Sequence, residues 1–277
     1  MAILSMQEEI KTRDWEELDS VFARTSEPLD NDVAVIILKI HHPAFASNQK
    51  SYDYSIWGKT LTEWVSLAFD TCPILEIETS LNADILQTIK PCLSDKKYTA
   101  VFYADTPLLQ RKTFLSVLDY AKTKRMNVCK LERGFVFVTD YLRTAEKIYA
   151  STTANLDFQD DFYMVSDMDS LNYASEKLKK RIINFHLQHG VQILDSNWTS
   201  IDADVTIGKN VVIYPQNILQ GKTHICDNVI LKAGNTIDNS LIGKNCQVMH
   251  SVIETSKIRD NSIIEPFSYI KNGEIKK

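Results

Sequence analysis

The chain has 277 residues, 44% hydrophobic and 24% charged, with a formal net charge of −5 and a pI near 5.7. That composition is globular, and the length suits two ordinary domains. It excludes binding to nucleic acid or an anionic membrane through bulk charge. No apolar run approaches the roughly 18 residues of a spanning helix.

The N-terminal stretch MAILSMQEEIKTRDWEELD has no basic segment followed by an apolar core, so no secretory signal is read and a cytoplasmic protein is expected. Met6, Ile10, Trp15, Leu18 and Phe22 mark a helix packing on the sheet or on a partner. The five cysteines are scattered and lack CxxC spacing, which reads as free thiols.

Asp32 to Lys39 (DVAVIILK) reads as a buried strand. Thr60 to about Asp70 reads as a helix opening on a capping box, Thr60-Leu61-Thr62-Glu63. Leu81 to Leu93 follows as a helix limited by Pro91. Thr99 to Tyr103 is a second buried strand. A helix through about Lys124 comes next, with Thr106 as N-cap and Pro107 at its first position. Asn127 to Leu131 and Phe135 to Val138 are further strands. Strands alternating with helices predict an α/β domain, Rossmann-like, with a mostly parallel sheet.

Asp105 falls just past the carboxyl end of a buried strand, where open α/β sheets bind ligands. A carboxylate there can hold Mg²⁺ against a phosphate. It can equally be a helix-start aspartate that favours the macrodipole.

Leu171, Ala174, Leu178, Ile182 and Phe185 form one apolar helical stripe, capped by Asp167 or Asp169 and followed by Gly190. Beyond it, aliphatics recur every sixth residue: Ile201, Ile207, Ile213, Leu219, Ile225, Leu231 and Ile237. Shortened steps then lead through Ile242, Val248, Ile253, Ile258, Ile264 and Ile270. A period of six fits a parallel β-helix of about four coils with one inward aliphatic per face. Turn residues such as Gly208-Lys209-Asn210 and Asp260-Asn261 tolerate the left-handed backbone of its corners. Such a stack needs its ends capped or packed against copies of itself. His224, one residue before an inward position, is expected to point outward. His250 lies in a shortened repeat. The domains are expected at 1–170, 171–190 (linker helix) and 191–277.

Several stretches together resemble the bifunctional UDP-N-acetylglucosamine pyrophosphorylase and glucosamine-1-phosphate N-acetyltransferase family. They are Arg181-Ile182 through His189-Gly190-Val191, Ile193-Leu194-Asp195, Ile201 to Val205, Val212-Ile213-Tyr214-Pro215 and Glu265-Pro266-Phe267. Upstream, Tyr103-Ala104-Asp105-Thr106-Pro107-Leu108 is similar to that family's strand end YGDTPL, and Trp57-Gly58-Lys59 to its GKP segment. The resemblance implies a shortened nucleotidyltransferase domain, then a truncated left-handed β-helix that forms a homotrimer. It implies Mg²⁺ on Asp105, with Ser166 and Asp167 standing where the family has the asparagine of a Val-Asn-Asp run. A nucleotide or sugar phosphate would meet Lys39, His41, Glu132 and Gly134.

The chain departs from the family at the loop after its first strand. Lys39-Ile40-His41-His42-Pro43-Ala44-Phe45 has neither the glycines that let backbone N–H groups approach phosphate nor the catalytic arginine. Glu78-Thr79-Ser80-Leu81 stands for the uridine-reading stretch and Glu132-Arg133-Gly134 for the sugar-reading Asn-Thr-Gly. The repeats end near Ile270, before the family's acetyltransferase histidine, so acetyl transfer is not expected. Losing an arginine and a lysine that serve a phosphoryl transition state costs on the order of 10³-fold or more in rate. Two readings stay open. One is a catalytically impaired binding or assembly subunit. The other is an active, diverged Mg²⁺-dependent nucleotidyltransferase acting on another sugar phosphate.

Overall fold

The computed structural model describes residues 32–45, 49–69, 72–149, 152–158 and 160–276. The apolar series Met6 to Phe22 lies outside them. The described residues divide between two compact units, one within Arg24–Leu178 and the other from Lys179 onward.

In the first unit, the run VAVIILKI forms β1 (Val33–Ile40). A strand covered on both faces needs such an unbroken apolar run. Val33, Val35 and Ile37 join one core with Phe102 and Phe114, while Ile36, Leu38 and Ile40 join another with Ile89 and Phe137. A short hairpin of β2 (Ser55–Ile56) and β3 (Lys59–Thr60) turns at Trp57-Gly58, both at positive φ. The capping box then opens α1 (Leu61–Ser66). Thr60 Oγ1 accepts from the Glu63 N–H, and the Glu63 carboxylate accepts from the Thr60 N–H. This α-helix is shorter than its pattern. It tightens into a 3-10 turn, Leu67–Phe69, which seats Phe69 with its ring centroid 4.8 Å from those of Phe102 and Phe114.

β4 (Ile74–Thr79) has no counterpart in the sequence reading. It is an edge strand with Leu75, Glu76 and Glu78 exposed, so it lacks the apolar run of a central one. The helix expected from Leu81 begins only at α2 (Ile85–Ile89). Asp84 takes its N-cap, accepting from the N–H groups of Leu86 and Gln87, and Pro91 sits in the 3-10 turn that follows. After β5 (Tyr98–Tyr103), Thr106 is not a helix cap. Its hydroxyl donates to the Tyr103 carbonyl at 2.9 Å, and α3 (Arg111–Thr123) starts four residues past Pro107. The remaining elements are β6 (Val128–Leu131), β7 (Gly134–Val138), α4 (Thr139–Thr144) and β8 (Thr153–Leu156). The sheet order is β4-β1-β5-β7-β6-β8. The β1–β4, β1–β5 and β6–β8 pairs are parallel, and β7 runs antiparallel to both its neighbours.

The helix α5 (Met168–Gln188) starts where the Asp167 carboxylate accepts from the Ser170 N–H at 2.8 Å. Gly190 follows its end at φ +85.

In the second unit, short strands wind into three parallel sheets of a β-helix. Every sixth-residue aliphatic falls on one of three inward ladders. The first is Ile201, Leu219, Ile237, Ile253 and Ile270. The second is Ile207, Ile225, Ile242 and Ile258. The third is Ile213, Leu231, Val248 and Ile264, preceded by Ile193. The final coil is closed by a strand the repeat pattern does not announce, Glu274–Lys276, which pairs antiparallel with Tyr269–Lys271.

The corners are columns of left-handed residues. Asn210, Asn228, Asn245 and Asn261 all have φ between 56° and 60°. Their side-chain amides form a ladder, each Nδ2 donating to the next Oδ1 at 3.0–3.2 Å. Asparagine tolerates this backbone region better than other residues with a Cβ. A second, fully buried polar column links Asn217 and Asn235 at 2.9 Å, and Asn235 Oδ1 accepts from the Ser251 N–H at 3.0 Å.

His224 takes the outward side that its register predicts. It lies there between Thr206 and Leu241, yet it is buried, and its Nδ1 is hydrogen-bonded to Thr206 Oγ1. Facing away from the solenoid core is therefore not the same as facing water. Burial pushes both His224 and His186 down to about 4.

Two outcomes are expected. Asn235→Ala leaves the Ser251 N–H unpaired and should lower stability by about 1–3 kcal/mol, read by urea denaturation. The folded pKa values of His186 and His224 lie below the unfolded value of 6.5. Above pH 6.5 both are neutral in either state. Between 6.5 and 4 only the unfolded chain takes up the protons, so stability should fall as pH drops through that window, by on the order of 3 kcal/mol per histidine. Melting curves from pH 7.5 to 4 check this, and a flat profile contradicts it.

Candidate functional site

The carboxyl ends of β1, β4 and β5 open on a cleft lined by Leu38, Ile40, Thr79, Ser80, Leu81, Tyr103 and Arg133, with Ala83, Ile85 and Thr88 from the segment around α2. Parallel strands bring their carboxyl ends together, and connections there leave a crevice. Asp105 lies two residues beyond β5, almost fully buried.

Both oxygens of that carboxylate are occupied. Arg133 Nε donates to Oδ1 at 2.7 Å and Arg133 Nη2 to Oδ2 at 2.5 Å. His42 Nε2 also meets Oδ2, at 2.7 Å. A carboxylate only accepts, so that imidazole nitrogen is the donor. The guanidinium stacks over the Tyr103 ring, 4.3 Å from its centroid. Burial opposes the charge on Arg133, but the hydrogen bond and charge of Asp105 outweigh it and raise the pKa. Burial likewise raises Tyr103, partly offset by the arginine.

Arg133 reaches Asp105 because of Gly134. The glycine sits at φ +149, and a Cβ there would stand 2.9 Å from the Val101 carbonyl oxygen. β7 thus lies tight on β5, and the preceding turn carries Arg133 over the end of that strand. Gly134 serves backbone approach within the sheet, and the neighbouring Glu132 is exposed.

The segment after β1 is tied to Ser51. The Ser51 hydroxyl donates to the Ile40 carbonyl at 3.1 Å and accepts from the His42 N–H at 3.0 Å. The Ser51 N–H donates to His41 Nδ1 at 3.2 Å, and the Phe45 N–H closes a turn onto the His42 carbonyl. These N–H groups are consumed internally rather than presented to an anion. Lys39 sits on the β1 face opposite Leu38 and Ile40, 3.3 Å from Glu76 and 4.8 Å from the Tyr52 ring centroid. Neither Lys39 nor His41 lines the cleft.

The stretch Val165-Ser166-Asp167 does come beside the β5 end, where the Val165 N–H donates to the Asp105 carbonyl at 2.8 Å. Its polar groups are spent on starting α5. Asp167 accepts from the Ser170 N–H and hydroxyl, the Ser166 N–H donates to Ser170 Oγ, and Ser166 Oγ lies 3.4 Å from Asp167. Among the described residues no three His, Cys, Asp or Glu side chains converge as a metal site. Mg²⁺ demands short, near-octahedral oxygen contacts and keeps several waters. A carboxylate already holding a bidentate guanidinium and an imidazole, with little solvent access, does not fit it.

Arg133 was missed as a site residue in the sequence, and His42 was weighed only as a source of compensating charge in the rebuilt loop. His42 stood in a loop read for missing glycines, and Arg133 stood between two residues credited with sugar contact. The one available signal was a buried carboxylate at a strand end, which demands a cationic or donor partner.

These features define the class: an α/β domain on a mixed, mostly parallel sheet, followed by a hexapeptide-repeat β-helix. In sequence the chain is similar to proteins described as bifunctional protein GlmU. It is 33% identical to that of Caldanaerobacter subterraneus over 139 residues, covering 50% of this chain and 30% of that protein. The protein of Clostridium beijerinckii is 42% identical over 107 residues (39% and 24%), and that of Clostridium acetobutylicum 31% over 182 residues (66% and 39%). The chain spans about a quarter to two fifths of the length of these relatives. No family model matches it. A solved homologue of Mycobacterium tuberculosis rv0371c, from Mycobacterium sp. strain JC1, aligns with a TM-score of 0.42 at 11% identity, over 55% of this chain and 99% of that one. Among the described residues no helix is long and apolar enough to cross a membrane.

Breaking a buried ion pair costs about 3–5 kcal/mol, and the partial solvent access of Arg133 reduces that to about 2–3 kcal/mol for Asp105→Ala. Urea denaturation reads the loss. A change near zero would mean that Asp105, Arg133 and His42 do not hold one another in solution.

Proposed function

We propose that the chain is a GlmU-related binding and assembly subunit, impaired in nucleotidyl transfer and homotrimeric through its β-helix. The observation that supports impairment most directly is the engagement of Asp105 by Arg133 and His42. The Ser51-bound segment after β1 supports it further, because its His42 and Phe45 N–H groups are bonded within the loop. Nucleotidyl transfer depends on positioning phosphates and stabilising their charge, and both provisions are altered here.

The cleft persists, with the hydroxyl-bearing Thr79 and Ser80 beside Tyr103 and Arg133. Its hydroxyl and guanidinium donors are the groups that would meet a phosphate-bearing ligand held without turnover. Trimer formation is supported by outward aliphatics on one β-helix sheet. Ile218 and Val252 are 39% and 36% exposed on either side of Thr236. Lone apolar residues on a surface are ordinary, but two of them in one outward column of the sheet suit burial between copies. The retained cleft also favours a second reading, an active enzyme on another sugar phosphate, and turnover decides between the two.

UTP with N-acetylglucosamine-1-phosphate and Mg²⁺ should yield no pyrophosphate above background. Turnover at the rate of a complete relative refutes the proposal, and turnover of a different sugar phosphate establishes the second reading. Light scattering should give a trimer for the wild type and a smaller species for Ile218→Lys/Val252→Lys. A wild-type monomer contradicts the assembly role.

A further inference from the structure

We infer that Arg133 is a resident cation of the Asp105 site: its guanidinium holds the position a divalent ion would need, so the cleft takes ligands without metal. The inference rests on the reading of Asp105 as the counterpart of a metal-binding carboxylate, and it goes beyond that reading by assigning the site a permanent occupant.

Three observations carry it. First, the pairing is bidentate through Nε and Nη2, which places the guanidinium plane against the carboxylate edge that a metal would approach. Second, the arginine is fixed from its other side by the Tyr103 ring and from below by the close β5–β7 approach at Gly134. It is part of the fold rather than a mobile side chain that drifts over an empty site. Third, the arginine also lines the cleft, and its Nη1 makes no hydrogen bond to a described residue. That nitrogen can donate to a phosphate or carboxylate oxygen of a bound ligand. Because the Arg133–Asp105 pair is neutral overall, Nη1 contributes geometry more than net charge.

A divalent ion entering this site would have to expel the guanidinium against cation–cation repulsion. The stack on Tyr103 and both hydrogen bonds would be lost with it. Removing the arginine reverses the situation. It leaves a carboxylate at a strand end with His42 on one oxygen, the other oxygen free, and room beside it.

The test is Mn²⁺ binding to the full chain, followed by the electron paramagnetic resonance signal of the free ion. Wild type should bind no more Mn²⁺ than Asp105→Asn. Arg133→Ser should bind one equivalent at least tenfold more tightly than wild type, and Arg133→Ser/Asp105→Asn should lose that site. If wild type binds one equivalent that Asp105→Asn abolishes, the inference is overturned, whatever the behaviour of the arginine variant. A folded Arg133→Ser with no gain in affinity overturns it as well. A wild type that binds Mn²⁺ through Asp105 yet lacks uridylyl transfer sinks this inference and leaves the proposed function standing. Metal-free turnover would do the reverse.

Discussion

A carboxylate buried at the end of a sheet must be neutralised, and the way this chain neutralises Asp105 governs the rest of its α/β unit. Desolvating an ionised group costs more than most single contacts return, so the partner has to be close, charged and held. Arg133 meets all three conditions. Its placement depends on a glycine that lets β7 lie against β5, and on an aromatic ring under the guanidinium. His42 completes the set from a loop whose own backbone is pinned to Ser51. The consequences for function follow from this arrangement, since donors that satisfy the carboxylate internally are unavailable to a ligand, and so is the carboxylate.

The β-helix obeys the same rule with neutral groups. Its coils are too narrow to hide backbone polarity behind a thick core, so every corner needs a local partner. The Asn217–Asn235–Ser251 column supplies such partners to backbone groups, while the asparagine ladder along another corner pairs the side-chain amides with one another. Repetition makes the satisfaction cumulative, because each amide both donates to one neighbour and accepts from the next. That is why the unit keeps its regularity through coils shortened to sixteen or seventeen residues, such as Ile237 to Ile253 and Ile253 to Ile270.

The two units differ in how much of them could be read in advance. The aliphatic register of the β-helix was legible residue by residue, because a hexad forces one side chain per face inward regardless of what surrounds the prism. The strands β1 and β5 were legible because burial on both faces leaves an unbroken apolar run. β4 and β8 were not, since short, exposed strands carry almost no pattern of their own and exist because a neighbour offers hydrogen bonds. Thr106 misled for a related reason: a threonine followed by proline is a sound cap signal, but the hydroxyl found the Tyr103 carbonyl first. Strand alternation put His224 on the correct side of its sheet, and it says nothing about what lies over that side.

By itself, then, the sequence determined the two-part architecture, the inward ladders of the β-helix and the presence of a strand-end carboxylate at Asp105. These follow from local periodicity and the chemistry of single residues. Only the tertiary structure decided what that carboxylate does. Its partners come from positions 42 and 133, separated by most of the α/β unit and adjacent only because β1, β5 and β7 are neighbours in one sheet. Pairing between distant residues is a property of the folded sheet and leaves no trace in spacing along the chain.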